Sequence, residues 1–124
     1  MGLDQYAWAR EREEEKNTKG HEPRFQWRKH AKLQEFMEQK FVEKTGHSAV
    51  DLNCGELELD AETISELEEK MQTNQMPRSQ GGFFYGHQFQ DESEEEYKDQ
   101  DIAFVEWAKA ELEKGNKVIY SCWW

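Results

Sequence analysis

The side chains able to do chemistry are few and widely spaced: His21, His30, His47 and His87, with Cys54 and Cys122, set among 27 Asp and Glu residues. No two of the histidines or cysteines stand at the CxxC, HxxxH or HExxH spacing that aims two metal ligands at one point. The expectation is therefore of solvated or singly hydrogen-bonded histidines, with no metal and no cofactor. The run Glu92-Ser93-Glu94-Glu95-Glu96 lacks the glycine turn of a calcium loop and reads as a solvated helix start. Cys122 lies in strand-forming sequence, where a thiol is expected to be buried and inert. Ser121 has no GxSxG context. Gly81-Gly82 runs into three aromatic residues, not into the Lys-Ser/Thr and helix start of a phosphate loop. Nothing here orders a nucleophile against a base, so no catalytic residue is assigned and an enzyme ranks last among the readings.

A different constellation points to binding. Arg24, Arg28, Lys29, His30 and Lys32 form the main basic cluster, interleaved with Phe25 and Trp27. Arg78 and Gln80 precede the block Gly81-Gly82-Phe83-Phe84-Tyr85-Gly86, and Trp123-Trp124 ends the sequence. Brought together, these would make a pocket with aromatic walls and one or two cations, suited to a small planar anion such as a nucleotide. Trp27, Arg28, Lys29, Gln80, Phe84, Tyr85 and Trp124 are the candidate ligand-binding residues. The competing reading makes the aromatics core residues and leaves Arg28 and Lys29 in surface ion pairs of small worth. On a strand Trp123 and Trp124 must face opposite ways, so one serves the core and the other meets a helix, a partner or solvent.

The formal net charge of −11 narrows the partners. Non-specific nucleic-acid binding needs a Lys/Arg surplus, and an anionic membrane surface is disfavoured for the same reason. The charge suits instead an acidic interaction factor, one that imitates DNA to occupy a basic protein, with acidic runs at residues 11–15 and 91–96. No apolar stretch approaches 18 residues and no apolar run follows Met1, so neither a membrane span nor a secretory signal is expected. Two distant cysteines imply no disulfide framework, and a cytoplasmic setting with reduced thiols is the simplest expectation.

The elements that must position these residues follow from period and punctuation. At 124 residues one domain, spanning 1–124, is the default. Residues 3–9 alternate as a strand would. Residues 10–23 are charged, with Asn17, Gly20 and Pro23, and read as a flexible loop. A short strand is expected at 24–27. Residues 28–44 carry helical spacing through Leu33, Phe36, Met37 and Phe41, stopped by Gly46. Glu56–Leu59 alternates. Asp60 is a good N-cap for a second helix carrying Ile64, Leu67 and Met71. The acidic stretch at 87–96 opens a third helix, which continues through the ladder Asp101, Val105, Ala108 and Leu112 to Gly115. Residues 117–124 form a strand with Val118, Tyr120, Cys122 and Trp124 on one face. The sum is α+β: about three helices packed on a small, mostly antiparallel sheet.

Several blocks together resemble a family of small proteins of unassigned activity found in tailed phages, including cyanophages, and in bacteria. They are Met1-Gly2-Leu3-Asp4-Gln5-Tyr6, Trp27-Arg28-Lys29-His30, Asn53-Cys54, Pro77-Arg78-Ser79-Gln80 with the glycine-aromatic block, Asp101-Ile102-Ala103-Phe104, and Tyr120-Ser121-Cys122-Trp123-Trp124. They follow the family's order over nearly the whole chain. The family usually has Met at the position of Gln5, often Phe at that of Tyr85, and Leu-Pro-Thr where Met76-Pro77-Arg78 stands. Some members carry a second His in the first helix, where this chain has Leu33 and Gln34. The resemblance implies a single domain and a phage-encoded or bacterial protein of the cytoplasm, and it supplies no reaction. The preferred reading is a non-catalytic binding or interaction module for a small anionic ligand or a protein partner. The DNA-mimicking factor is the alternative, and a homo-oligomer stays open.

Overall fold

The computed structural model describes residues 3–10, 24–77 and 90–124. Residues 11–23 of the loop expected at 10–23, Arg78, Gln80, the glycine-aromatic block with Phe84 and Tyr85, and His21 and His87 lie outside the described residues. Four strands, β1 (Asp4–Arg10), β2 (Phe25–Arg28), β3 (Glu56–Leu59) and β4 (Lys117–Trp123), form an antiparallel sheet in the order β2-β1-β4-β3. Four α-helices accompany it among the described residues: α1 (Ala31–Thr45), α2 (Ala61–Gln72), α3 (Gln90–Glu96) and α4 (Lys98–Glu113). The fold is α+β, as the sequence predicts.

Alternation decides which face meets the helices. One inner row runs across all four strands as Phe25, Ala7, Tyr120 and Leu57, every member buried. Against that face pack Leu33, Phe36, Met37 and Phe41 of α1, Ile64 and Leu67 of α2, and Phe104, Val105 and Ala108 of α4, all in one apolar cluster. On the outer face, the Arg10 guanidinium grips Glu56 with two bonds, at 3.3 and 2.9 Å. The pair reaches from β1 to β3, and the register sets Ile119 of the intervening β4 between them. Arg10 is thus the last residue of β1 and not the first of a loop.

The helix boundaries have local causes. Gly46 takes φ +73° and donates its N–H to Val42 O, ending α1 in the left-handed conformation that glycine adopts without strain. Asp60 caps α2 by accepting from Thr63 N–H at 2.8 Å. The expected third helix is in fact two, α3 and α4, separated at Tyr97. The Tyr97 ring stacks on His30 at a centroid distance of 5.5 Å, and its hydroxyl accepts from Arg28 N–H at 3.1 Å. Gln100 Nε2 donates to Gln26 O at 2.6 Å, so two side chains from this region cover the outer edge of β2.

Candidate functional site

The polar interior begins with His30, the residue before α1. Its side chain does not cap the helix; it turns inward and is fully buried. The Gln5 amide serves its backbone instead: His30 N–H donates to Gln5 Oε1 at 2.9 Å, and Gln5 Nε2 donates to His30 O at 3.1 Å. The same Nε2 reaches Tyr120 Oη at 3.0 Å, and Tyr120 donates to Gln34 Oε1 at 2.5 Å. Gln34 Nε2 in turn approaches Cys122 Sγ at 3.4 Å. This chain of bonds lets buried amides and a phenol sit inside an apolar core without a large desolvation cost.

Asp101, in the first turn of α4, is the centre of the second polar group. Its Oδ1 accepts from Trp27 Nε1–H at 2.7 Å, and its Oδ2 lies 2.7 Å from His30 Nε2. Asp101 is only 4% exposed, yet it forms part of the wall of a cavity of about 550 Å³ bounded by α2, α3 and α4. Among the described residues six carboxylates line that cavity: Glu68, Asp91, Glu94, Glu95, Asp101 and Glu106. Its apolar surface comes from Met71, Met76, Ile102 and Val105. Lys98 is the single lysine among the described lining residues. Lys32 bridges Asp91 and Glu94 at 2.9 and 3.0 Å, and Lys109 bridges Glu68 at 2.5 Å. Burial works against the Lys32 charge, but its hydrogen bonds to Asp91 and Glu94 outweigh that and hold its pKa above the usual value. Among the described residues these three lysines still leave a formal excess of three carboxylates.

Among the described residues, Trp27 and Arg28 of the expected ligand-binding set face apart. Trp27 is 1% exposed and faces the helices, packed against Phe25 and Phe104. Arg28, next along β2, points to the other face, with a long 3.8 Å pairing to Asp4. Lys29 is exposed at the turn after β2, with φ +57°. Trp124 follows the last residue of β4 and is half-buried against the core, with its N–H and C=O both bonded to the Asn53 amide. Trp123 is the exposed member of the pair, at 61%. Gln80, Phe84 and Tyr85 lie outside the described residues.

Other chemistry has little support in the geometry. Cys54 and Cys122 are both free thiols, although Cys54 N–H donates to Cys122 O. Burial pushes the Cys122 thiol up to about 12, against the acidifying Gln34 contact. Among the described residues no group of three or more His, Cys, Asp and Glu converges on a metal position, and no helix is long and apolar enough to cross a membrane. No family model matches the chain, nor does any curated protein or solved structure.

The residues that the sequence reading passed over are His30 and Asp101 as a pair. The signal for Asp101 was present: it is the one charged member of the ladder that otherwise reads Val105, Ala108 and Leu112. An acid on the apolar stripe of a helix is either a buried partner for a donor or an error in the stripe.

Proposed function

We propose that this protein is a non-catalytic interaction module that takes a basic, partly apolar segment of a protein partner in the cleft bounded by α2, α3 and α4. The observation that carries the reading is the lining itself, six carboxylates around a surface of Met71, Met76, Ile102 and Val105. Methionine side chains adapt to irregular apolar surfaces, and the carboxylates complement Lys and Arg. The −11 net charge adds long-range attraction for the same partners. This favours the acidic-factor alternative over an aromatic-cationic pocket for a small anion, because the described cleft has the opposite sign. The block-wise resemblance to phage and bacterial proteins suggests a phage-encoded or bacterial origin and the cytoplasm as the working compartment.

The test is binding of a labelled amphipathic Lys/Leu peptide, with a Glu/Leu peptide of the same length as control, read by fluorescence anisotropy. The Lys/Leu peptide is expected to bind and to weaken as salt shortens the screening length. Equal affinity for both peptides, or none for either, would refute the reading.

A further inference from the structure

We infer that Asp101 is the anchoring carboxylate of the cleft, the residue that takes one cationic head, a Lys ammonium or an Arg guanidinium, from the bound segment. The inference rests on the reading of the cleft as a site for a basic segment, and it singles out the position that sets affinity within it.

Asp101 differs from the other five carboxylates in burial and in company. Asp91 is 64% exposed at its side chain and already bridged by Lys32. Glu94 shares that lysine, and Glu68 has Lys109. Asp101 is almost wholly buried, and among the described residues its only ion-pair partner is His30. Trp27 and His30 fix the carboxylate plane, one ring nitrogen on each oxygen. Each oxygen of a carboxylate has two lone pairs, so two such contacts leave capacity for a further donor.

The His30–Asp101 pair is incomplete in either charge state. His30 Nδ1 is buried and has no hydrogen-bond partner among the described residues. With a neutral imidazole, Nε2–H serves Asp101, Nδ1 is a bare lone pair, and the buried carboxylate keeps an uncompensated charge. With an imidazolium the charge is balanced, but Nδ1–H becomes a buried donor with no acceptor. A buried charge or donor left unpaired is costly. A cation arriving from the cleft side compensates the carboxylate. Its attraction acts where water screens least, so one contact at Asp101 outweighs one at the rim.

The experiment uses the full chain and the Lys/Leu peptide as probe. Asp101→Asn is expected to weaken binding by roughly tenfold or more, the scale for one desolvated charge pair, while Glu95→Gln and Glu106→Gln change it less than about threefold. Because Asp101→Asn also alters the buried contacts to Trp27 and His30, the unsubstituted protein is titrated in parallel and followed by ¹⁵N NMR. The Trp27 indole N–H, bonded to Asp101, is expected to shift in step with peptide occupancy. If the peptide does not bind at all, the reading of the cleft fails and this inference with it. If it binds while the Trp27 indole resonance stays in place, or if the two rim variants lose as much affinity as Asp101→Asn, the anchoring role alone is overturned.

Discussion

Asp101 Oδ2 lies 2.7 Å from His30 Nε2, and that contact ties the first turn of α4 to the residue on which α1 begins. Through its other oxygen the same carboxylate holds Trp27 of β2. One side chain thus joins two helices and an edge strand. Replacing it with alanine leaves the Trp27 indole N–H and the His30 Nε2 buried without this partner. Asp101→Ala is expected to destabilise the protein by about 3 kcal/mol, the scale for breaking a buried polar network. Urea unfolding would measure it. A loss below about 1 kcal/mol would mean that the network is dispensable to the fold.

Asp60 offers a prediction in pH. Its carboxyl is held down at about 2, below the ordinary 3.8. Hydrogen bonding from the Thr63 side chain is the largest cause, opposed by partial burial and reinforced by the Thr63 main-chain N–H and by Lys44. A depressed carboxylate favours folding while it is ionised in both states, and that contribution fades as pH falls from about 4 through about 2. At neutral pH, Asp60→Ala is expected to cost about 1 kcal/mol, as for other N-caps. The gap between the two proteins should close across that acid interval. A gap that persists at lower pH would assign the loss to something other than the ionised cap.

The two cysteines should separate by reactivity. Cys54 is exposed, whereas Cys122 is buried and its thiol is pushed up to about 12. Thiolate is the reacting form, so at pH 8 a colourimetric disulfide reagent should modify Cys54 rapidly and spare Cys122. Adding denaturant should release the second thiol. Two fast equivalents in the folded protein would contradict the burial of Cys122.

The elements were legible where a local cause acts alone. Asp60, Gly46 and the alternation of Glu56–Leu59 each mark a boundary by their own chemistry, and the structure places an N-cap, a left-handed C-cap and a strand there. The break at Tyr97 was not legible, because Tyr97 carries no Gly or Pro signal and its ring contact is with His30, distant in sequence. The separation of Trp27 from Arg28 has a similar reason. Trp27 and Arg28 are neighbours in sequence, but on a strand neighbours face apart, so the ring entered the core while the cation stayed outside. The acidic cleft combines residues from α2, α3 and α4, and only the packing of those helices brings Glu68, Glu94 and Glu106 to one cavity.

Among the described glycines, Gly55 is expected to be the one least able to accept a side chain. It follows the short 3-10 turn Ala49–Leu52 and precedes β3, and its N–H donates to Leu52 O at 2.8 Å. Ser121 Oγ donates to Gly55 O at 2.5 Å, pinning the turn to β4. A Cβ at this position would stand 2.7 Å from Asp51 O and 3.3 Å from Leu52 O. Both are main-chain atoms, so the turn itself must move, and Gly55→Ala is expected to cost about 1–3 kcal/mol. Gly115 is the contrast: its φ is +88°, but a Cβ there meets nothing within 4 Å. Gly115→Ala carries only the left-handed backbone cost, about 1 kcal/mol. Urea midpoints of the two variants, compared at equal m-value, would separate crowding from backbone strain. If Gly55→Ala loses no more than Gly115→Ala, the close approach to Asp51 O does not constrain this turn.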